Sequence, residues 1–160
     1  MKNIYLFLLA TLVGIEIALG IFVAPVIFYP QKFIGSEVLT HFQSGILMTQ
    51  IFLKYNYALI IISLFAFVFS VFVLRSKDCF YVRVSTFALN FINLSLACIF
   101  VFYFTPYILT AQAIGESATI QSAEFMNIHK ASELTMKIMM MAQILLFFVG
   151  SLYKKQYKNG

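Results

Sequence analysis

The sequence predicts an all-α integral membrane protein, a four-helix bundle with helical segments on its outer side. Three observations predict it. Of the 160 residues, 62% are apolar and 11% charged, whereas a water-soluble domain of this size carries roughly 45–50% apolar and roughly 25% charged residues. The mean hydropathy of +0.93 excludes a disordered chain, since low hydrophobicity is what keeps chains unfolded. The apolar residues also gather in four runs, each near the roughly 20 residues a helix needs to cross a hydrocarbon layer about 30 Å thick.

The first run, Ile4 to Tyr29, is interrupted only by Thr11, Gly14, Glu16, Gly20 and Pro25. Lys2 and the Ala18-Leu19-Gly20 segment also suit a secretory signal peptide. However, the run continues through Ile21, Phe22, Val23, Val26, Ile27 and Phe28, beyond the usual signal core of about 7–15 residues. A retained helix is therefore expected. The second run, Tyr57 to Leu74, has Ser63 and Ser70 as its polar residues. The third, Val82 to Leu109, holds Asn90, Asn93 and Ser95, and Leu134 to Tyr153 closes the set. One transmembrane domain over residues 1–160 is expected, with spans at 4–29, 57–74, 82–109 and 134–153.

Between the runs, Ser36 is a candidate cap for a helix through Leu39, Phe42 and Ile46, because its hydroxyl can accept a free backbone N–H. Such a helix would lie along the membrane surface. Gly115 to Gln121 reads as a turn, and Ser122 onward as a helix continuous with the last span. Small residues four apart, Gly14 with Ala18 and Gly20 with Ala24, suit close helix packing. Cys79 falls in a short loop and Cys98 within the third span, roughly 28 Å along a helix against the roughly 7 Å that a disulfide tolerates between alpha carbons.

The pI of 9.3 rests on only eleven Lys plus Arg, and their placement suits membrane orientation rather than nucleic-acid binding. Lys2, Arg75, Lys77, Arg83, Lys154, Lys155 and Lys158 fall on one side. Lys32, Lys54, Lys130 and Lys137 fall on the other. The excess places both termini in the cytoplasm, with the chain in the inner membrane. The lipid bilayer is then the first partner, with a second copy or another membrane protein as further candidates. No nucleic-acid partner is expected.

Glu16 lies mid-span, where a charge costs about 2.5–3.5 kcal/mol on insertion scales, so it must be neutral, paired or near water. Thr86, Asn90, Asn93 and Ala97 form one stripe of the third helix. Counted inward, Glu16 and Asn93 both lie about 16–18 Å deep, which predicts a hydrogen bond from Asn90 or Asn93 to Glu16. Two readings follow: a proton or cation site, or polar glue between helices.

His129, Glu133, Met136 and Met140 form a second stripe. Imidazole and thioether suit copper, while carboxylate beside imidazole suits harder divalent ions, and His41 is a further candidate ligand. The alternative is that the methionines only pack and that His129 and Glu133 form an ordinary helical pair. Two histidines on the outer side also admit axial ligation of haem. No nucleophile elbow, phosphate-binding loop, dinucleotide fingerprint or zinc-protease motif occurs, so no catalytic residue is assigned and an enzyme is not expected.

Three segments carry a resemblance. Phe22-Val23-Ala24-Pro25-Val26-Ile27-Phe28 gives F-x-A-P-x-x-F. Ser44-Gly45-Ile46-Leu47 then precedes Ile51-Phe52-Leu53-Lys54-Tyr55. Phe125-Met126-Asn127-Ile128-His129-Lys130-Ala131-Ser132 gives F-x-x-L-H-x-x-S with Ile in place of Leu. In this order they resemble the bacterial domain of unknown function 4149, whose animal relatives include transmembrane protein 205. The resemblance implies a four-helix membrane protein without a settled activity. It also implies distant similarity to copper-resistance protein D and to haem-binding membrane protoporphyrinogen oxidases. Phe22, Ala24, Pro25, Phe28, Phe125, His129 and Ser132 are its signature positions, with no role attached. Pro25 is expected to bend or break its helix and open a polar pocket into which His129 faces. Binding or transport of a small ligand or cation is the expected function, with a haem-binding redox protein or a non-catalytic membrane scaffold as alternatives.

Overall fold

The computed structural model describes residues 1–35, 38–76 and 79–152, with Leu152 described by its backbone alone. Ser36, Lys77, Tyr153, Lys154, Lys155 and Lys158, used above for a cap, a span end and the charge count, lie outside the described residues. Five helices follow in order: α1 (Lys2–Phe28), α2 (Gln31–Ile34), α3 (His41–Leu74), α4 (Phe80–Ile114) and α5 (Ala123–Leu152). All but the short α2 are long and apolar enough to cross a membrane. Among the described residues there are no strands. The fold is an all-α four-helix bundle.

Two of the long helices contain a π turn, Ala18–Val23 in α1 and Phe100–Phe104 in α4. Each is followed two residues later by a proline, Pro25 and Pro106. A proline ring collides with the carbonyl four residues back and brings no N–H, and a locally widened turn admits it without ending the helix. Of the bend or break expected at Pro25, the break is thereby corrected. The helix runs on to Phe28, and the chain turns at Tyr29, where φ is −132° and ψ is 50°. Gly35 (φ 73°) then ends α2, and Gly115 (φ 118°) ends α4, both in backbone regions that disfavour a side chain.

The first half of α3 is also corrected. Leu39 precedes the helix, whose cap is Thr40: its hydroxyl accepts from Gln43 N–H at 3.2 Å, and Gln43 Oε1 accepts from Thr40 N–H at 3.0 Å. This reciprocal pair satisfies two otherwise free donors. The segment from His41 continues unbroken into the second span instead of lying on the membrane surface. At 34 residues, α3 is about 51 Å long and outreaches a hydrocarbon layer of about 30 Å. Lys54, which precedes the expected second span, accordingly sits within α3.

The bundle closes as a ring in which α3 packs on α1 and α4, and α5 on α4 and α1. Arg83 of α4 donates from Nη1 to the carbonyls of Leu74 and Ser76, each at 3.0 Å. It thereby satisfies carbonyls left free at the end of α3. At the other end of the bundle, Ser44 Oγ donates to Ile27 O at 2.8 Å and fastens α3 to the end of α1. Leu12, Leu59, Ala97, Phe100 and Met139 meet in the core. The expected close packing at Gly14 and Gly20 is not within this chain, since open space surrounds both. Close approach occurs at Gly150 instead, where a Cβ would lie 2.7 Å from Leu6 Cδ2.

Candidate functional site: an intramembrane polar junction

Polar and apolar residues are distributed inside out relative to a water-soluble protein. Phe7, Ile21, Tyr57, Ile61 and Phe102 are exposed, while Glu16, Ser63, Asn90, Asn93 and Gln143 are buried. Such a surface suits lipid, and the buried polar groups must find partners among themselves.

They do so around Glu16, which is 3% exposed. Tyr55 of α3 donates its hydroxyl to Glu16 Oε1. Gln143 Nε2 of α5 donates to the same oxygen at 3.3 Å and to Asn93 Oδ1 of α4 at 3.2 Å. Asn93 Nδ2 in turn donates to Ser63 Oγ of α3 at 3.1 Å. A single chain of hydrogen bonds therefore ties together all four long helices. The predicted direct bond from Asn90 or Asn93 to Glu16 is corrected. Asn93 reaches Glu16 only through Gln143, and Asn90 Nδ2 donates to Tyr5 Oη at 3.1 Å, nearer the start of α1. Counting depth along two helices gave the correct layer but could not give azimuth, and the amide of a third helix occupies the space between them.

Within this layer two buried acceptors lack a hydrogen-bond partner, Glu16 Oε2 and Gln143 Oε1. Among the described residues no Lys, Arg or His forms an ion pair with Glu16. A buried carboxylate without a fixed countercharge is costly. It must hold a proton or attract a cation.

The sequence reading missed Tyr55, Ser63 and Gln143. A signal for Gln143 did exist: Ser132, Met136, Met139, Gln143 and Leu146 repeat at spacings of four, three, four and three. Of these, Ser132, Met139, Gln143 and Leu146 are buried. The stripe chosen from sequence, His129, Glu133, Met136 and Met140, is rotated from that face. His129 and Glu133 side chains are 42% and 52% exposed, with His129 Nε2 3.2 Å from Glu133 Oε1 and Lys137 Nζ 3.9 Å from Glu133 Oε2. His129 is half-buried: its Nε2 lies in this surface pair, while its Nδ1 is buried without a hydrogen-bond partner. Met136 is half-buried against the main core, and Met140 is half-buried.

The signature residues have packing roles. Phe125 stacks on His129 (5.8 Å, 7°) and on Tyr107 of α4 (6.5 Å, 21°), and Ser132 Oγ donates to His129 O at 2.7 Å. His41 lies against Phe28 at 5.2 Å. Ala24 and Phe28 pack against the core, whereas Phe22 is exposed. Among the described residues no three of His, Cys, Asp and Glu form a group able to hold a metal. The two imidazoles have separate ring partners, Phe28 for His41 and Phe125 for His129.

Four long apolar helices around a buried polar junction define a multi-pass membrane protein. The family described as domain of unknown function (DUF4149) matches residues 7–117. The chain belongs to this family. The match covers the Phe22–Phe28 and Ser44–Tyr55 segments and ends before the Phe125–Ser132 segment. No curated protein and no solved structure matches the chain.

Proposed function

We propose that this is an inner-membrane protein, with both termini in the cytoplasm, that binds or moves a proton or small cation at Glu16. The observation that carries the reading is the carboxyl itself, set where four helices meet, with Oε2 unpartnered and no fixed cation beside it. Tyr55 and Gln143 orient Oε1, leaving Oε2 and Gln143 Oε1 as the pair of oxygens to which a proton or a desolvated cation would bind. Orientation draws on the sequence count alone, with Lys2, Arg75, Lys77, Arg83, Lys154, Lys155 and Lys158 assigned to the side of the termini against Lys32, Lys54, Lys130 and Lys137. Kinship with transmembrane protein 205 is part of the same proposal and draws on the F-x-A-P-x-x-F segment.

One observation favours a second reading, a non-catalytic scaffold: the amide nitrogens of Asn93 and Gln143 and the hydroxyl of Tyr55 all donate to partners within the chain. The full-length protein in liposomes loaded with a pH-sensitive dye separates the two. An imposed sodium or potassium gradient is expected to change the lumenal pH with the native protein and not with Glu16→Gln. If Glu16→Gln leaves the flux intact, or if the native protein passes none and the substitution alters stability alone, the scaffold reading replaces ours.

A further inference from the structure

A cavity of about 220 Å³ lies at one end of the bundle. Lys2, Val73, Val82 and Gly150 wall it, one from each of α1, α3, α4 and α5, and each stands in a terminal turn of its helix. Tyr5 and Thr86 line it one turn deeper. Several water molecules fit such a space at about 30 Å³ each.

Polar side chains continue from this cavity to Glu16. Asn90 is 1% exposed, and its Nδ2 donates to both Tyr5 Oη at 3.1 Å and Thr86 O at 2.8 Å. Its Oδ1 is buried without a partner. Asn93 follows about 4.5 Å along α4; it bonds Ser63 and, through Gln143, reaches Glu16. Gln143 Oε1 and Glu16 Oε2 are unpartnered as well. Buried oxygens without donors are the partners that internal water takes. Toward the other end, Leu19, Met48, Phe100, Phe104 and Met139 are buried in one apolar cluster. The buried polar pair on that side, Asn56 and Thr105, is bonded at 2.9 Å and lines a groove between α3 and α4 whose walls include the exposed Tyr57 and Phe102.

We propose that Glu16 is reached from one end only: water enters the cavity beside Lys2 and passes Tyr5 and Asn90, bringing the proton or cation to the carboxyl. This route rests on the reading of Glu16 as a proton or cation site and names its entrance. Tyr5 and Asn90 are positioning residues. Tyr5 Oη accepts from Asn90 and keeps its own hydrogen to give, while Asn90 Oδ1 accepts. The pair therefore offers an entering water both a donor and an acceptor. The apolar cluster beyond Glu16 offers neither and stays dry.

Thiol hydrogen exchange tests the route without any flux measurement. In the full-length protein carrying Cys79→Ser and Cys98→Ala, Ser63→Cys reports on the Asn93 layer and Met139→Cys on the apolar cluster, one turn beyond Gln143. The two positions are equally buried, at 1% and 0% exposed. Each variant in lipid nanodiscs, which leave both faces open to water, is moved into heavy water, and conversion of S–H to S–D is followed by infrared absorption. The thiol of Ser63→Cys is expected to exchange roughly tenfold faster, or more, than that of Met139→Cys. Adding Asn90→Leu is expected to remove most of that difference. Tyr5→Phe, which keeps the ring, is expected to slow exchange in the same way and serves if Asn90→Leu fails to fold. A purely structural loss would loosen the bundle and speed exchange, the opposite sign. Equal exchange at the two thiols, or a difference that survives both Asn90→Leu and Tyr5→Phe, overturns the route. One-sided exchange in a protein that passes no protons overturns the Glu16 reading while the water route stands. Flux with equal exchange overturns the route alone.

Discussion

Gln143 Nε2 stands 3.3 Å from Glu16 Oε1 although 127 residues separate the two in the chain. The same nitrogen lies 3.2 Å from Asn93 Oδ1, so one amide joins the first and last long helices to the third. A side chain that satisfies two buried oxygens at once cannot be replaced by an apolar group without leaving both short of a donor.

Gln143→Leu is therefore expected to destabilise the folded bundle by about 1–2 kcal/mol, above the roughly 0.6 kcal/mol average for a membrane hydrogen bond. Thermal or detergent titration of the purified protein measures this. A cost indistinguishable from zero would show that the bridge contributes nothing.

At the α1–α5 contact, Gly150 leaves room for Leu6. Gly150→Val is expected to destabilise by about 1–3 kcal/mol through overpacking. Leu6→Ala in the same chain should recover much of that loss, and a double-mutant cycle reads the coupling directly. Additive effects would place the two residues out of contact.

Thr40 starts α3 with a capping pair to Gln43. Thr40→Ala is expected to cost about 0.5–2 kcal/mol, with faster amide exchange confined to the first turn after His41. Protection at Tyr55 and beyond should stay unchanged, because the cap acts only on the terminal turn.

The surface pair and the aromatic stack at His129 should separate cleanly. Glu133→Gln is expected to alter stability by less than about 1 kcal/mol, as for other exposed ion pairs. His129→Ala also loses its stack on Phe125, a contact of about 0.5–1.5 kcal/mol, and should be the more damaging. A larger effect from Glu133→Gln would point to a role for the carboxylate outside this pair.

The sequence by itself determined the class of protein, the four helices and the burial of Glu16. Apolar run length against bilayer thickness sets the first two, and the absence of any other acid in the first run marked Glu16 as exceptional. It also determined that Thr86, Asn90, Asn93 and Ala97 share an inward stripe, because polar residues in an otherwise apolar helix are driven away from lipid. Only the tertiary structure decided which groups meet. In α5 both faces carry apolar residues, so periodicity offered two stripes, and lipid, being as apolar as the core, imposes no choice between them. The rotation that buries Gln143 and leaves His129 only half-buried is set by packing against α1 and α4. The prolines were also settled only by the structure: a π turn absorbs Pro25 and Pro106 without ending either helix, and at the second the Thr105 hydroxyl satisfies the Phe100 carbonyl.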